Sequence, residues 1–277
     1  FRRAPNYSAE AIPALRERAS IQGEPRLAAM LGDIADAIEV SHKFVLPTGG
    51  YLFEETTEPM LAELRTPFPK TVFEFAGTFD VAPDEDNGVF AKSIDKMVVC
   101  CFPNSDGETI ITTVCHVTKS SNPAARGWRA SLLAARLTAA GIEAFPLGEA
   151  AEQWPLFSKD RREILLRACA REIGVVAQAC AALACTNVTT EIVRPNREAR
   201  AARPASTLFD YHVLMIEPGA DRHPSEDRGG SHASPRTHLR RGHIRRLAWG
   251  PRVWVNSCVV NPGAIGTVNK DYAVSRG

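Results

Sequence analysis

Apolar positions recur at helical spacing in two stretches of this chain and at strand spacing in several others. Between Glu24 and Val40, the residues Leu27, Met30, Leu31, Ile34, Ala35 and Ile38 share one face, with Asp33, Asp36 and Glu39 on the others. That spacing predicts an amphipathic helix. Pro47-Thr48-Gly49-Gly50 then breaks the chain, and a short helix is expected over Glu58–Arg65, ended by Thr66-Pro67-Phe68-Pro69. The longest helix is expected from about Ser158 to Ala184. Its charges lie in its first half, and its nearly uncharged second half is expected to be buried.

Strands are expected at Thr71–Phe75, Met97–Phe102, Thr109–Val117, Thr186–Val193 and Phe209–Ile216. Pro103-Asn104-Ser105-Asp106-Gly107 supplies the turn of a first hairpin. A second is expected from Thr237–Leu247 and Arg252–Val260, joined by Ala248-Trp249-Gly250-Pro251. Arg129–Ala140 reads as a short helix or an irregular excursion. Arg194–Ser206 and Glu217–Pro235 read as polar loops, the second of them mobile. The fold class that follows is α+β: a mixed, mainly antiparallel sheet with N-terminal helices, one long buried helix and a C-terminal basic β-hairpin. The expected organisation is an N-terminal helical region, 1–66, and an α+β core, 67–277. The core carries the basic hairpin at 236–260, and the whole forms one compact unit.

Composition narrows the class. The chain has 277 residues, 44% hydrophobic and 23% charged, as in a soluble globular protein. No apolar run is long enough to span a bilayer, so no membrane role is expected. No leader is read in the opening residues Phe1-Arg2-Arg3-Ala4-Pro5, and a few native residues are expected to be missing before Phe1. Seven cysteines lie mostly in apolar strands and helices, with no C-x-x-C among them. They read as small buried hydrophobes in a reducing cytosol, with a structural zinc as the lesser alternative.

Charge is unevenly placed. Residues 1–227 carry 24 basic and 31 acidic side chains, net −7; residues 228–277 carry 9 basic and 1 acidic, net +8. No Asp or Glu occurs from Arg228 to Asn269. Such a field attracts polyanions, and nucleic-acid phosphate is the commonest.

The candidate site is the second hairpin, with Arg236, His238, Arg240, Arg241, His243, Arg245, Arg246 and Trp254 as its binding residues. Arg236, His238 and Arg240 alternate onto one face of a strand. Gly242 invites a bulge that would bring His243 and Arg245 onto that face, beside Trp254 or Trp249. Guanidinium forks match phosphate oxygens, and Trp offers a stacking platform for a base. His238 and His243 are the candidate catalytic pair for metal-independent RNA cleavage, with the 2′-hydroxyl as nucleophile. A structural alternative stays open, in which the arginines pair with the acidic remainder and the histidines bond to backbone. Two histidines five apart with no nearby carboxylate or thiolate make a poor metal site, so no metal is expected. His116, on an apolar strand, reads as a satisfied core histidine. No phosphate-binding loop, dinucleotide fingerprint, H-E-x-x-H or G-x-S-x-G motif is present, and no cofactor is expected.

The segment Arg236-Thr237-His238-Leu239-Arg240-Arg241-Gly242-His243, followed by Trp254-Val255-Asn256 and Val259-Val260-Asn261, resembles the ending of a phage and mobile-element family. It is the family of the type V-A anti-CRISPR protein that lowers Cas12a production. Leu183-Ala184-Cys185-Thr186-Asn187-Val188, the strand Tyr211-His212-Val213-Leu214 and the segment from Thr66-Pro67-Phe68-Pro69 to Glu74-Phe75 resemble phage-encoded relatives. Thr237 stands where the pattern has Pro, and Ile244 where it has Trp. The resemblance implies an inhibitor that lowers synthesis of a host defence protein in the bacterial cytoplasm. It would do so by recognising the nascent polypeptide or the mRNA, with the ribosome as the meeting place. The other classes are an endoribonuclease and a non-catalytic phage interaction protein.

Overall fold

A computed structural model describes residues 6–81, 92–120, 126–138, 141–147, 151, 153–195, 208–216, 238–240, 243–255 and 258–260. The chain divides into two units. One comprises Phe1–Ala181 with Thr190–Leu214, and the other Ala182–Thr189 with Met215–Gly277.

The larger unit is built on an eight-stranded sheet. In chain order its elements begin with α1 (Tyr7–Ile21), α2 (Pro25–Val40), β1 (His42–Val45), α3 (Glu58–Ala62), β2 (Thr71–Val81), β3 (Lys92–Pro103) and β4 (Thr109–Ser120). They continue with β5 (Gly127–Thr138), β6 (Gly141–Pro146), α4 (Lys159–Leu183), β7 (Val188–Val193) and β8 (Tyr211–Ile216). The strand order is β6-β5-β4-β3-β2-β1-β8-β7. Strands β2 to β6 form an antiparallel meander, whereas β1 runs parallel to both β2 and β8. The fold is therefore α+β with a mixed, mainly antiparallel sheet.

The two faces are covered by different helices. Ala11, Ile12 and Leu15 of α1, with Leu31, Ile34, Ala35 and Ile38 of α2, form one apolar cluster with Val72, Val98, Cys100, Val114 and Trp128. The alternate residues Phe73, Val99, Cys101 and Thr113 point to the other face. There α4 brings Cys180 near Cys101 and Glu172 beside Thr113. The second half of α4, from Ile173 to Ala182, is buried, as its lack of charge predicts. Gln178, fully buried on α4, accepts hydrogen bonds from the Leu52 and Phe53 amides at 2.9 and 2.8 Å and donates to Thr56 Oγ1.

Two buried charges fix the helical pair to the sheet. Glu74 on β2 accepts from the Tyr7 and Ser8 amides at 2.8 and 2.9 Å, from the Ser8 hydroxyl and from the Tyr211 hydroxyl. It is fully buried and serves as the N-terminal cap of α1. Lys43 on β1 donates to the Ile38, Glu39 and Ser41 carbonyls at 2.8, 3.2 and 2.8 Å, closing the C-terminal end of α2. Each charge sits at the helix end whose dipole it complements. Burial raises the Glu74 carboxyl and pulls the Lys43 ammonium down to about 8.

The predicted first hairpin is present. Gly107 takes φ 80° in its turn, and Asn104 Oδ1 accepts from the Asp106 and Glu108 amides. Several elements differ from expectation. Arg129–Thr138 is not helical: it lies within strand β5, paired with β4 on one side and β6 on the other, while Ala139 and Ala140 lie outside the described residues. Its alanines suit a helix, but hydrogen-bond partners on both sides override that propensity. Helix α1 and strand β1 also form where the pattern predicts neither. The short helix expected over Glu58–Arg65 is confined to Glu58–Ala62.

Candidate nucleic-acid interface

The smaller unit contains the C-terminal hairpin, in strands β9 (His238–Arg240), β10 (His243–Arg246), β11 (Arg252–Val255) and β12 (Cys258–Val260). β10 pairs antiparallel with β11, and β9 with β12, each as a sheet separate from the main one. Neither ladder belongs to the strand order of the main sheet. The turn is where the sequence places it. Gly250 donates to the Leu247 carbonyl at 3.0 Å, Leu247 donates to the Pro251 carbonyl at 2.8 Å, and Gly250 adopts φ 104°. A side chain there would strain the backbone.

Register decides which side chains share a face. His238 pairs with Val260 and Arg240 with Cys258; beyond, His243 pairs with Val255 and Arg246 with Arg252. The bulge expected at Gly242 lies outside the described residues, as do Arg236 and Arg241.

Within the β10–β11 ladder, Ile244, Arg246, Arg252 and Trp254 share one face, and His243, Arg245, Val253 and Val255 the other. The arginines are divided between two faces rather than gathered on one. Arg245 and Arg246 are exposed, and His243 and Trp254 are half-buried. Arg246 stands directly opposite Arg252. At the turn, Trp249 is 75% exposed.

A second segment, not singled out from the sequence as part of the site, holds this ladder. Asn187 Nδ2 donates to the Trp254 carbonyl at 2.8 Å, and the Trp254 amide donates to Asn187 Oδ1 at 2.7 Å. The Thr186 amide donates to the Arg252 carbonyl at 2.9 Å. Leu183–Val188 and the basic hairpin are thus joined through hydrogen bonds.

Six of the seven cysteines have described side chains, and these behave as expected. Cys100, Cys101, Cys169, Cys180 and Cys185 are buried and Cys115 is half-buried, all free thiols. Burial pushes Cys169 and Cys180 up to about 12, which keeps them protonated and unreactive. His116 is half-buried and pairs through Nδ1 with Asp95 at 2.7 Å. In the larger unit, His42 and His212 form a pair no local signal announces, 170 positions apart. His42 Nδ1 lies 3.4 Å from His212 Nε2, and His42 stacks on Phe68 at 3.8 Å between ring centres. Burial and the neighbouring His42 lower the His212 pKa. Among the described residues no three His, Cys, Asp or Glu side chains converge as metal ligands, and no helix is long and apolar enough to cross a membrane. No family model, curated protein or solved structure matches this chain.

Proposed function

We propose that the C-terminal hairpin binds a polyanion, and that the chain is a phage-encoded, anti-CRISPR-like inhibitor lowering synthesis of a host defence protein. Cas12a is the first candidate target, recognised through its nascent polypeptide or its mRNA. The observation that carries the reading is the Arg246–Arg252 pair beside exposed Trp249. Like charges directly opposite on antiparallel strands repel. A phosphate held between them offsets that repulsion through charge-assisted hydrogen bonds. The 42 residues from Arg228 to Asn269 contain no carboxylate, so the field of this stretch is positive. Trp249 adds an aromatic surface on which a base can stack. The Arg-x-His-x-Arg-Arg-Gly-His pattern supports the choice of target class.

The test is co-expression with Cas12a from its natural gene and from a synonymously recoded one, following protein and transcript. Both should fall with the natural gene. Depletion that survives recoding means the peptide is read; depletion that disappears means the RNA is read. Arg241→Ala and His243→Ala should each abolish it. Unchanged Cas12a protein and transcript would rule out Cas12a as the target.

A further inference from the structure

His42 and His212 meet in the larger unit across the seam between β1 and β8. Phe44 pairs with His212 in the parallel ladder, and His42 lies two residues before Phe44. The two imidazoles are therefore diagonal neighbours on one face of the sheet. An aromatic neighbour holds each ring. His42 stacks on Phe68 with ring centres 3.8 Å apart and planes at 15°. His212 stacks on the buried Phe44 at 4.8 Å and 22°. The nitrogens that face each other, His42 Nδ1 and His212 Nε2, are 3.4 Å apart. A good N–H donor reaches its acceptor within about 3.2 Å, so this is a poor hydrogen bond. It is, however, the edge of a tetrahedron. Two imidazole nitrogens bound to one zinc ion at about 2.0–2.1 Å stand about 3.3–3.4 Å apart.

We propose that His42 Nδ1 and His212 Nε2 together bind a divalent cation of the zinc type, with water in its remaining positions. Imidazole suits zinc and its d-block neighbours, whereas magnesium and calcium take oxygen ligands. The adjustment required is small. The ring centres lie 5.5 Å apart, and a tetrahedral zinc ion sets them about 5.2 Å apart. His42 is exposed, so it can make that tilt and leave the metal open to water. Among the described residues no third protein ligand converges there, which keeps the other positions open. Tight sites give the second nitrogen of each histidine an acceptor of its own. His212 Nδ1 is buried without one, so the metal is exchangeable rather than a permanent part of the fold. This site is independent of the hairpin reading, since it uses no residue of the smaller unit.

The experiment titrates the whole nitrogen-labelled chain with zinc chloride and, as a control, magnesium chloride. Long-range proton–nitrogen correlation spectra follow the imidazole rings. Zinc should shift His42 Nδ1 and His212 Nε2 together, saturably and with the same apparent affinity, and magnesium should shift neither. His42→Phe keeps an aromatic ring to stack on Phe68 and removes both nitrogens. It should weaken the zinc response of His212 by about tenfold or more. His42→Ala serves in the same way if His42→Phe fails to fold. The proposal is overturned if zinc shifts neither ring or only one of them. Equal zinc affinity at His212 in wild type and variant overturns it too, because the two rings then do not share a metal.

Discussion

Asn187 holds Trp254 by two reciprocal hydrogen bonds to its backbone, at 2.8 and 2.7 Å, across 67 positions of sequence. The side-chain amide copies a strand partner: its N–H₂ donates to a carbonyl and its oxygen accepts an amide. Asn187→Ala removes both bonds and leaves two half-buried backbone groups of β11 without them. The expected cost to the smaller unit is about 1–3 kcal/mol. Amide exchange at Trp254 should quicken, while Val98 and Val99 of the main sheet keep their protection. Unchanged exchange at Trp254 would show that the clamp contributes nothing.

Lys43 gives a second prediction. Its ammonium meets three carbonyls at the end of α2 and sits 3.8 Å over the ring centre of Phe209. Lys43→Met keeps the aliphatic stem and leaves those carbonyls short of a donor. Denaturant unfolding should show a loss of roughly 3 kcal/mol with little change in slope.

The long helix predicts a pH dependence. Desolvation pushes the Glu172 carboxyl from 4.5 up to about 7. Its folded pKa lies above its unfolded value, so the folded state binds the extra proton. The associated stability is fully present below about pH 4.5 and is lost as pH rises through about 7. Glu172→Gln is neutral throughout. It should flatten the fall between those values and make the protein more stable at pH 8, by up to about 3 kcal/mol. Thermal unfolding between pH 5 and 8 checks this; parallel curves for the two proteins would contradict it.

What the sequence makes legible follows physical range. Helix α2 and the buried half of α4 are written in local periodicity. The β3–β4 hairpin and the C-terminal turn are written in Asn104, Gly107 and Gly250. Helix α1 is not, because Ile12 and Leu15 are the only large apolar side chains among its buried residues and its capping carboxylate, Glu74, lies on a distant strand. Strand β5 misleads because Ala134 and Ala135 favour a helix until β4 and β6 claim their backbone. For the candidate site, composition shows the charge but not its division between faces. Strand alternation alone puts Arg245 and Arg246 on opposite sides, and the register set by the turn adds Arg252 opposite Arg246.

The division of arginines carries its own prediction. Trp249→Ala should weaken single-stranded RNA by about 1–3 kcal/mol, the range of base stacking on an aromatic ring, without changing the salt slope. Arg246→Ala should reduce that slope by about one, because it removes one phosphate contact. Fluorescence anisotropy with a labelled oligonucleotide separates the two.

The central claim is that the hairpin binds nucleic-acid phosphate, and a salt titration tests it most directly. RNA affinity should be measured between about 50 and 200 mM salt for the wild type and for a variant with Arg245, Arg246 and Arg252 all changed to Ala. The wild-type affinity should fall steeply and linearly on logarithmic axes, as counterions released by neutralised phosphates require. The variant should bind more weakly, with a slope smaller by about two to three. A wild-type affinity indifferent to salt, or a triple variant that binds as the wild type does, would contradict the phosphate-binding role of this hairpin.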